Sequence, residues 1–200
     1  MILSKPKEST TMEFRNPDAG SYLGRCISVI DLGTQTTTWE GQTKQQHKVI
    51  LNFELFGEDS QGVLEIDSKP LAVYKRYTLS NHEKSTLMVD LKSWKGKEVE
   101  LPLDLNKLLG QFAMVNVIHN EYQGKTYANI GGLSQVPTVL AKAGFPKGFN
   151  EPFLFDLSKH PVNFDKVWAW QQEMIKKSAE WVNTEAKREA TTLVDDDVPF

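Results

Sequence analysis

Cysteine occurs once, at Cys26, so no disulfide can form within the chain and no cysteine-built zinc site is available. Its strand-like surroundings make it an inert packing residue. Histidine is nearly as scarce. His47, His82, His119 and His160 stand far apart, and none lies at metal-ligand spacing from a second histidine or from the cysteine. The pair His119-Asn120 suggests a nuclease fragment, but no second histidine follows at close range. No serine sits in a nucleophile elbow, and no glycine run is built to cradle phosphate. The expectation is a protein without catalysis, without a metal and without a cofactor. No apolar run approaches the roughly twenty residues needed to span a bilayer. The opening stretch MILSKPKESTT is too short in apolar residues for a secretory signal, which points to the cytoplasm. Internal repeats and low-complexity tracts are also missing.

Charge is nearly balanced overall, at a formal −3, but it is unevenly spread. Residues 1–150 hold 17 Lys and Arg against 16 Asp and Glu, whereas residues 151–200 hold 6 against 10. A near-neutral body with an acidic end leaves room for a basic groove on the body. Two hundred residues suit one medium domain with appendages.

Residues 1–17, with Pro6 and Pro17 and little periodicity, read as a flexible arm whose Lys5, Lys7 and Arg15 are available to phosphate. Gly20 to Asp31 alternates as a strand, with Gly24 where a small barrel would bend. Gly33 to Lys44 is expected to be a polar loop holding Trp39. Gln46 to Phe56 is the clearest strand, with Val49, Leu51, Phe53 and Leu55 on one face. Leu71 to Leu79 is a third strand. Ser80 and Glu83 have capping-box spacing, so a helix should open there and run to Trp94, with Gly96 ending it. A short turn should follow Asp104. Gln111 to His119 and Lys125 to Leu133 are the last two strands, joined by a loop from Asn120 to Gly124.

Three strands, a helix and two more strands form the order of the OB-fold, a five-stranded barrel. The fold expected is therefore mainly β with helices: an OB-fold barrel over 18–136, then an irregular wrap over 137–162 rich in Pro, Gly and Phe. A C-terminal helix over 163–189 follows, N-capped by Asn163 and striped by Phe164, Val167, Trp168, Gln171, Met174, Ile175, Trp181 and Val182. Residues 190–200 remain as a disordered acidic tail.

Binding a single strand requires cations along the phosphates and flat rings on which bases stack. Trp39, with Lys44 and Lys48 close after it, meets that description in the long loop. On the third strand, Leu71, Val73 and Leu79 share a parity with Lys75 and Tyr77, which turns Tyr74 and Arg76 outward. In the last hairpin Tyr122 and Lys125 stand near the tip. Tyr127 and Asn129 are opposite in parity to Ala128 and Ile130, and so face out beside Asn116.

The final residues set three like charges, Asp195, Asp196 and Asp197, before Val198, Pro199 and Phe200. A partner for such a segment needs an apolar pocket for Phe200 and basic residues for its carboxylates. This run resembles the acidic tip of bacterial single-stranded-DNA-binding proteins. GSYLGRCISVIDLGTQ, YTLSNHEKSTL, SWKGK and VNVIHNEYQGKTYANI are similar to segments of phage-encoded single-stranded-DNA-binding proteins with an OB-fold, over roughly residues 20–135. The resemblance implies a role in phage DNA replication, recombination or repair, in the host bacterial cytoplasm. It implies that replication and recombination proteins are recruited through the tip, and it leaves a homo-oligomer open. The tail's charge would also let it compete with DNA for a basic groove. A protein-interaction adaptor, a strand-annealing protein and, less readily, a nuclease are the alternatives.

Overall fold

The computed structural model describes residues 15–160 and 162–184, the side chain of Trp39 excepted. The N-terminal residues 1–14 and the acidic tail, Asp195 to Phe200 included, lie outside the described residues. Six strands make the main sheet: β1 (Gly20–Trp39), β2 (Gln42–Phe56), β3 (Ala72–Thr78), β4 (Phe112–Tyr122), β5 (Lys125–Ser134) and β6 (Phe153–Phe155). Their order is β3-β2-β1-β4-β5 with antiparallel neighbours, and β6 lies parallel to β1 opposite Ser28–Ile30. Between β2 and β3 the chain makes two short ladders, Glu58–Asp59 with Gly62–Val63 and Glu65–Ile66 with Lys69–Pro70. The protein is mainly β, built on one large antiparallel sheet.

Strand β1 organises this sheet because it pairs on both sides and is long enough to bend. Register shifts at Cys26/Ser28 and Asp31/Gly33 mark its bulges, which increase local twist. The need for glycine at Gly24 has a different origin. A Cβ there would collide with Val115 Cγ2 on β4, so only glycine lets the two strands approach.

The polar loop expected over Gly33 to Lys44 is instead paired strand. β1 and β2 continue to Trp39↔Gln42 and turn through Glu40 (φ 47°) and Gly41 (φ 76°). Positive φ at both central residues is the tight hairpin turn whose twist matches the strands. Thr38 and Thr43 hydrogen-bond across the ladder at 3.3 Å. The second hairpin is equally tight: Tyr122 pairs with Lys125 around Gln123 (φ 50°) and Gly124 (φ 72°), rather than through a five-residue loop.

Helix α1 (Thr86–Lys95) begins later than the capping-box spacing indicates. Ser80 Oγ accepts from the His82 N–H in a local turn, and Ser85 Oγ accepts from the Met88 N–H at 3.3 Å as the true cap. The stop at Gly96 is as expected, in left-handed conformation. The short turn after Asp104 is a 3-10 helix over Leu105–Leu108.

One face of the sheet carries the larger core, where Val49, Leu51, Phe53, Leu55, Val73, Val115 and Ile130 meet Leu87, Leu91 and Trp94 of α1. Trp94 donates its indole N–H to Phe112 O at 2.7 Å and meets Phe53 edge-on. Where β3, α1 and β5 come together, the buried Asp90 accepts from Lys75 Nζ (2.7 Å) and Tyr77 OH (2.8 Å). Lys75 also donates to Gly131 O at 2.9 Å, so a single ammonium bridges β3 to β5.

The opposite face holds a second core of Ile30, Leu32 and Ile50 beneath Phe155, Leu157, Val167 and Ile175. The segment supplying this cover differs from expectation twice. Within the irregular wrap, Phe153–Phe155 joins the sheet as β6, and Thr138–Ala143 forms helix α2. The helix expected over 163–189 is broken: a 3-10 turn at Phe164–Lys166, helix α3 (Ala169–Lys176), then a fresh helical run from residue 179 that is described to Thr184. Asn163 is no cap. It sits at φ 62° and donates its side-chain amide to Leu154 O. Ser178, fully buried, accepts from the Trp181 N–H and restarts the helix.

The arm ends sooner than residue 17 as well. Arg15 is paired with the Asp59 carboxylate and donates to Val63 O at 2.6 Å, so it is occupied within the fold. Pro17 O meets His119 Nε2 at 2.7 Å.

Candidate nucleic-acid interface

Pairing of Lys48 with Thr78, Ile50 with Arg76 and Asn52 with Tyr74 sets the register of β2 against β3. Because Val49, Leu51, Val73 and Tyr77 enter the larger core, alternation turns Lys48, Tyr74 and Arg76 to the other face. The parity expected for Tyr74 and Arg76 is therefore met. Lys48 Nζ donates to Gln46 Oε1 (2.8 Å) and Thr78 Oγ1 (2.7 Å). Burial first, and then the positive charges of Arg76 and Lys44, hold its pKa below the ordinary lysine value. Arg76 makes its described contact with Met174 Sδ at 3.9 Å. Among the described residues, Lys44, Lys48 and Arg76 have no carboxylate in ion-pair range. Lys48 thus sits partly buried between two further cations, and the three lack a counter-charge among the described residues.

Tyr74 does not present a free ring. Trp170 lies 4.6 Å from it between ring centroids, and Trp168 lies 6.5 Å away edge-on. Trp170 keeps 38% of its surface exposed, so the aromatic surface open beside the cations belongs to α3. Sequence reasoning passed over Trp170. Its signal was present: in Trp168-Ala169-Trp170 the second ring falls off the apolar stripe, where a tryptophan has no core to enter. A buried polar chain fixes α3 on this face, with Gln171 Nε2 donating to Asn52 Oδ1 (3.1 Å) and Asn52 Nδ2 to Ser28 Oγ (2.6 Å).

Tyr122, Lys125 and Tyr127 form a separate group. Opposite Lys125 stands Tyr122, and opposite Tyr127 stands Asn120, so all of these share the hairpin face turned from Val117 and Ile130. Tyr122 is 66% exposed and Tyr127 44%. No described side-chain contact joins this hairpin to the Lys48–Arg76 group. Trp39 pairs with Gln42 beside the first turn, and Lys44 faces Thr37 on the same ribbon.

The remaining reactive groups are occupied. Burial drives the Cys26 thiol up to about 12, which keeps it protonated and inert. His47 Nε2 sits 2.6 Å from Asp31 Oδ1, and its Nδ1 lies 3.7 Å from Glu180 Oε1. Glu180 also accepts from the Thr34 N–H (2.7 Å) and hydroxyl (2.6 Å), tying the C-terminal helical run to β1. No group of three His, Cys, Asp or Glu among the described residues is placed to hold a metal ion. No described helix is long and apolar enough to cross a membrane.

Neither a scan against protein-family models nor a search of curated proteins finds a match for this chain.

Proposed function

We propose that this protein binds single-stranded DNA without strong sequence preference, on the outer face of β2 and β3. The observation that carries this reading is the uncompensated trio Lys44, Lys48 and Arg76 beside the open ring of Trp170. Cations hold successive phosphates, and an exposed indole offers a platform to any base, contributing about 1–3 kcal/mol per stacked base. A duplex hides its base faces, so the aromatic element favours the single strand. The β1–β2 and β4–β5 ribbons extend the surface, with Trp39 on the first and Tyr122, Lys125 and Tyr127 on the second.

The sheet is read as an OB-fold barrel. Support comes from the strand order β3-β2-β1-β4-β5, from α1 standing between β3 and β4, and from the Lys75 bridge between β3 and β5. In this reading the protein protects exposed strands during phage replication, recombination or repair, and the acidic sequence Asp195–Phe200 recruits partner enzymes. The test is fluorescence anisotropy of labelled oligo-dT against a duplex of equal length. Tight, salt-sensitive binding to oligo-dT that is lost in a K48E/R76E variant is the expected result. Equal affinity for duplex, or binding that survives the double charge reversal, overturns it.

A further inference from the structure

After β5 the chain leaves the sheet and returns at Phe149. Residues 137–147 are exposed without exception, and helix α2 buries none of its six residues. Yet the loop is apolar: Val139 is 79% exposed, Leu140 44%, Phe145 45% and Phe149 55%. It is also held in place. Phe145 stacks flat on Phe112 at 4.2 Å, and the Phe149 and Asn150 N–H groups donate to the buried Glu54 carboxylate. Gly148 lies so close to the Arg25 guanidinium that a Cβ would overlap it. A single exposed turn of helix has almost no stability in water by itself. An apolar loop pinned at both ends with nothing over its middle has the character of a docking surface.

Charge says what it would dock. From Ser134 to Asn150 the sequence has Lys142 and Lys147 and no acidic residue, and neither lysine makes a described ion pair. Its complement is a peptide alternating apolar side chains with carboxylates. The chain contains such a segment: Leu193 and Val194, then Asp195 to Asp197, then Val198, Pro199 and Phe200. Leu193 lies nine residues and Asp197 thirteen residues after Thr184, contours of at most about 30 and 45 Å. Thr184 stands beyond Glu180, which is bonded to Thr34, and the loop is anchored on Arg25 of the same strand, about 30 Å away. The segment can therefore reach.

We propose that the surface formed by Val139, Leu140, Lys142, Phe145, Lys147 and Phe149 is the docking site for the sequence Leu193–Phe200 of this same chain. Glu54, which anchors the loop, is six residues along β2 from Lys48 and four from Ile50, the partner of Arg76, so the loop is anchored about 13–20 Å along the strand from those two cations. The inference concerns the chain without DNA and stands independently of what that face binds.

Zero-length carbodiimide crosslinking of the full chain without DNA, followed by mass spectrometry, tests it. The expected result is that Asp195–Asp197 couple chiefly to Lys142 and Lys147, and that the yield falls about tenfold in a V139S/L140S variant, whose lysines and Phe145 anchor are unchanged. Dilution separates docking within one chain, where yield holds, from docking between two copies, where it falls. Coupling centred on Lys44 and Lys48, coupling spread over all lysines, or yields unaffected by V139S/L140S overturn the proposal. Urea midpoints within error of the unaltered chain confirm that the variant is folded, since Val139 and Leu140 are both exposed.

Discussion

Replacing Glu54 with alanine removes a carboxylate that is fully buried and serves four donors: Arg25 Nε at 2.7 Å, the Phe149 N–H at 3.2 Å, the Asn150 N–H at 3.0 Å and Asn150 Nδ2 at 2.7 Å. Without it, the Arg25 guanidinium loses its counter-charge in a site where only 13% of its side chain meets solvent. Breaking one partner of a buried pair costs about 3–5 kcal/mol. The two N–H groups belong to a loop that can lift toward water, so their loss does not add in full, and the lower end, about 3 kcal/mol, is expected. At a urea slope of about 2 kcal/mol/M the midpoint should fall by about 1.5 M. Released from its anchor, the loop should also be cut faster by trypsin at Lys142 and Lys147. E54Q, which keeps the shape but loses the charge, should fall between the two. A midpoint shift under about 0.2 M, or additivity of R25A and E54A in a double-mutant cycle, refutes the argument that this pair holds the loop.

Other perturbations separate the remaining parts. Trp170→Ala should weaken oligo-dT binding by about 1–3 kcal/mol while changing duplex binding little, and equal loss on both would remove Trp170 from the base platform. Tyr77→Phe deletes one of the two donors to buried Asp90 and should cost about 1 kcal/mol in urea melts without altering oligonucleotide affinity. For Glu180, partial burial raises the carboxyl pKa, but the hydrogen bonds from the Thr34 hydroxyl and N–H, with the His47 charge, outweigh it and leave a net lowering. A depressed folded-state pKa gives stability that is present above the unfolded carboxylate value and is lost as pH falls through the folded one. Acid titration from neutral pH should therefore loosen the C-terminal helical run below about pH 4.5, seen in tryptophan fluorescence. A Glu180→Gln variant whose acid transition is unchanged would sink this assignment.

The parts of the fold legible in the sequence are those where one face of an element is dry. β2 was readable because Val49, Leu51, Phe53 and Leu55 alternate with polar residues, and the same parity on β3 turned Tyr74 and Arg76 outward. From Thr36 onward the first strand is half of an exposed two-stranded ribbon, so alternation vanishes and a strand looks like a loop. Ser80, with Glu83 three residues on, satisfies the local capping rule better than Ser85, which has Met88 there, yet the helix that packs Leu87 and Leu91 into the core starts at the second. The C-terminal stripe predicts the cover given by Val167, Gln171 and Ile175, but not the 56% exposure of Val182 nor the break at Ser178, whose side chain is buried. Coverage of Tyr74 by Trp168 and Trp170 is a contact between distant segments, invisible to periodicity.

The salt dependence of oligo-dT affinity tests the central claim most directly. Each phosphate contact on a single strand contributes about 0.7 to the slope of log Kobs against log salt, so K44A/K48A/R76A should flatten that slope by about 2 relative to the unaltered protein. An unchanged slope, or no binding of oligo-dT by the unaltered protein at low salt, would contradict the assignment of this face to single-stranded DNA.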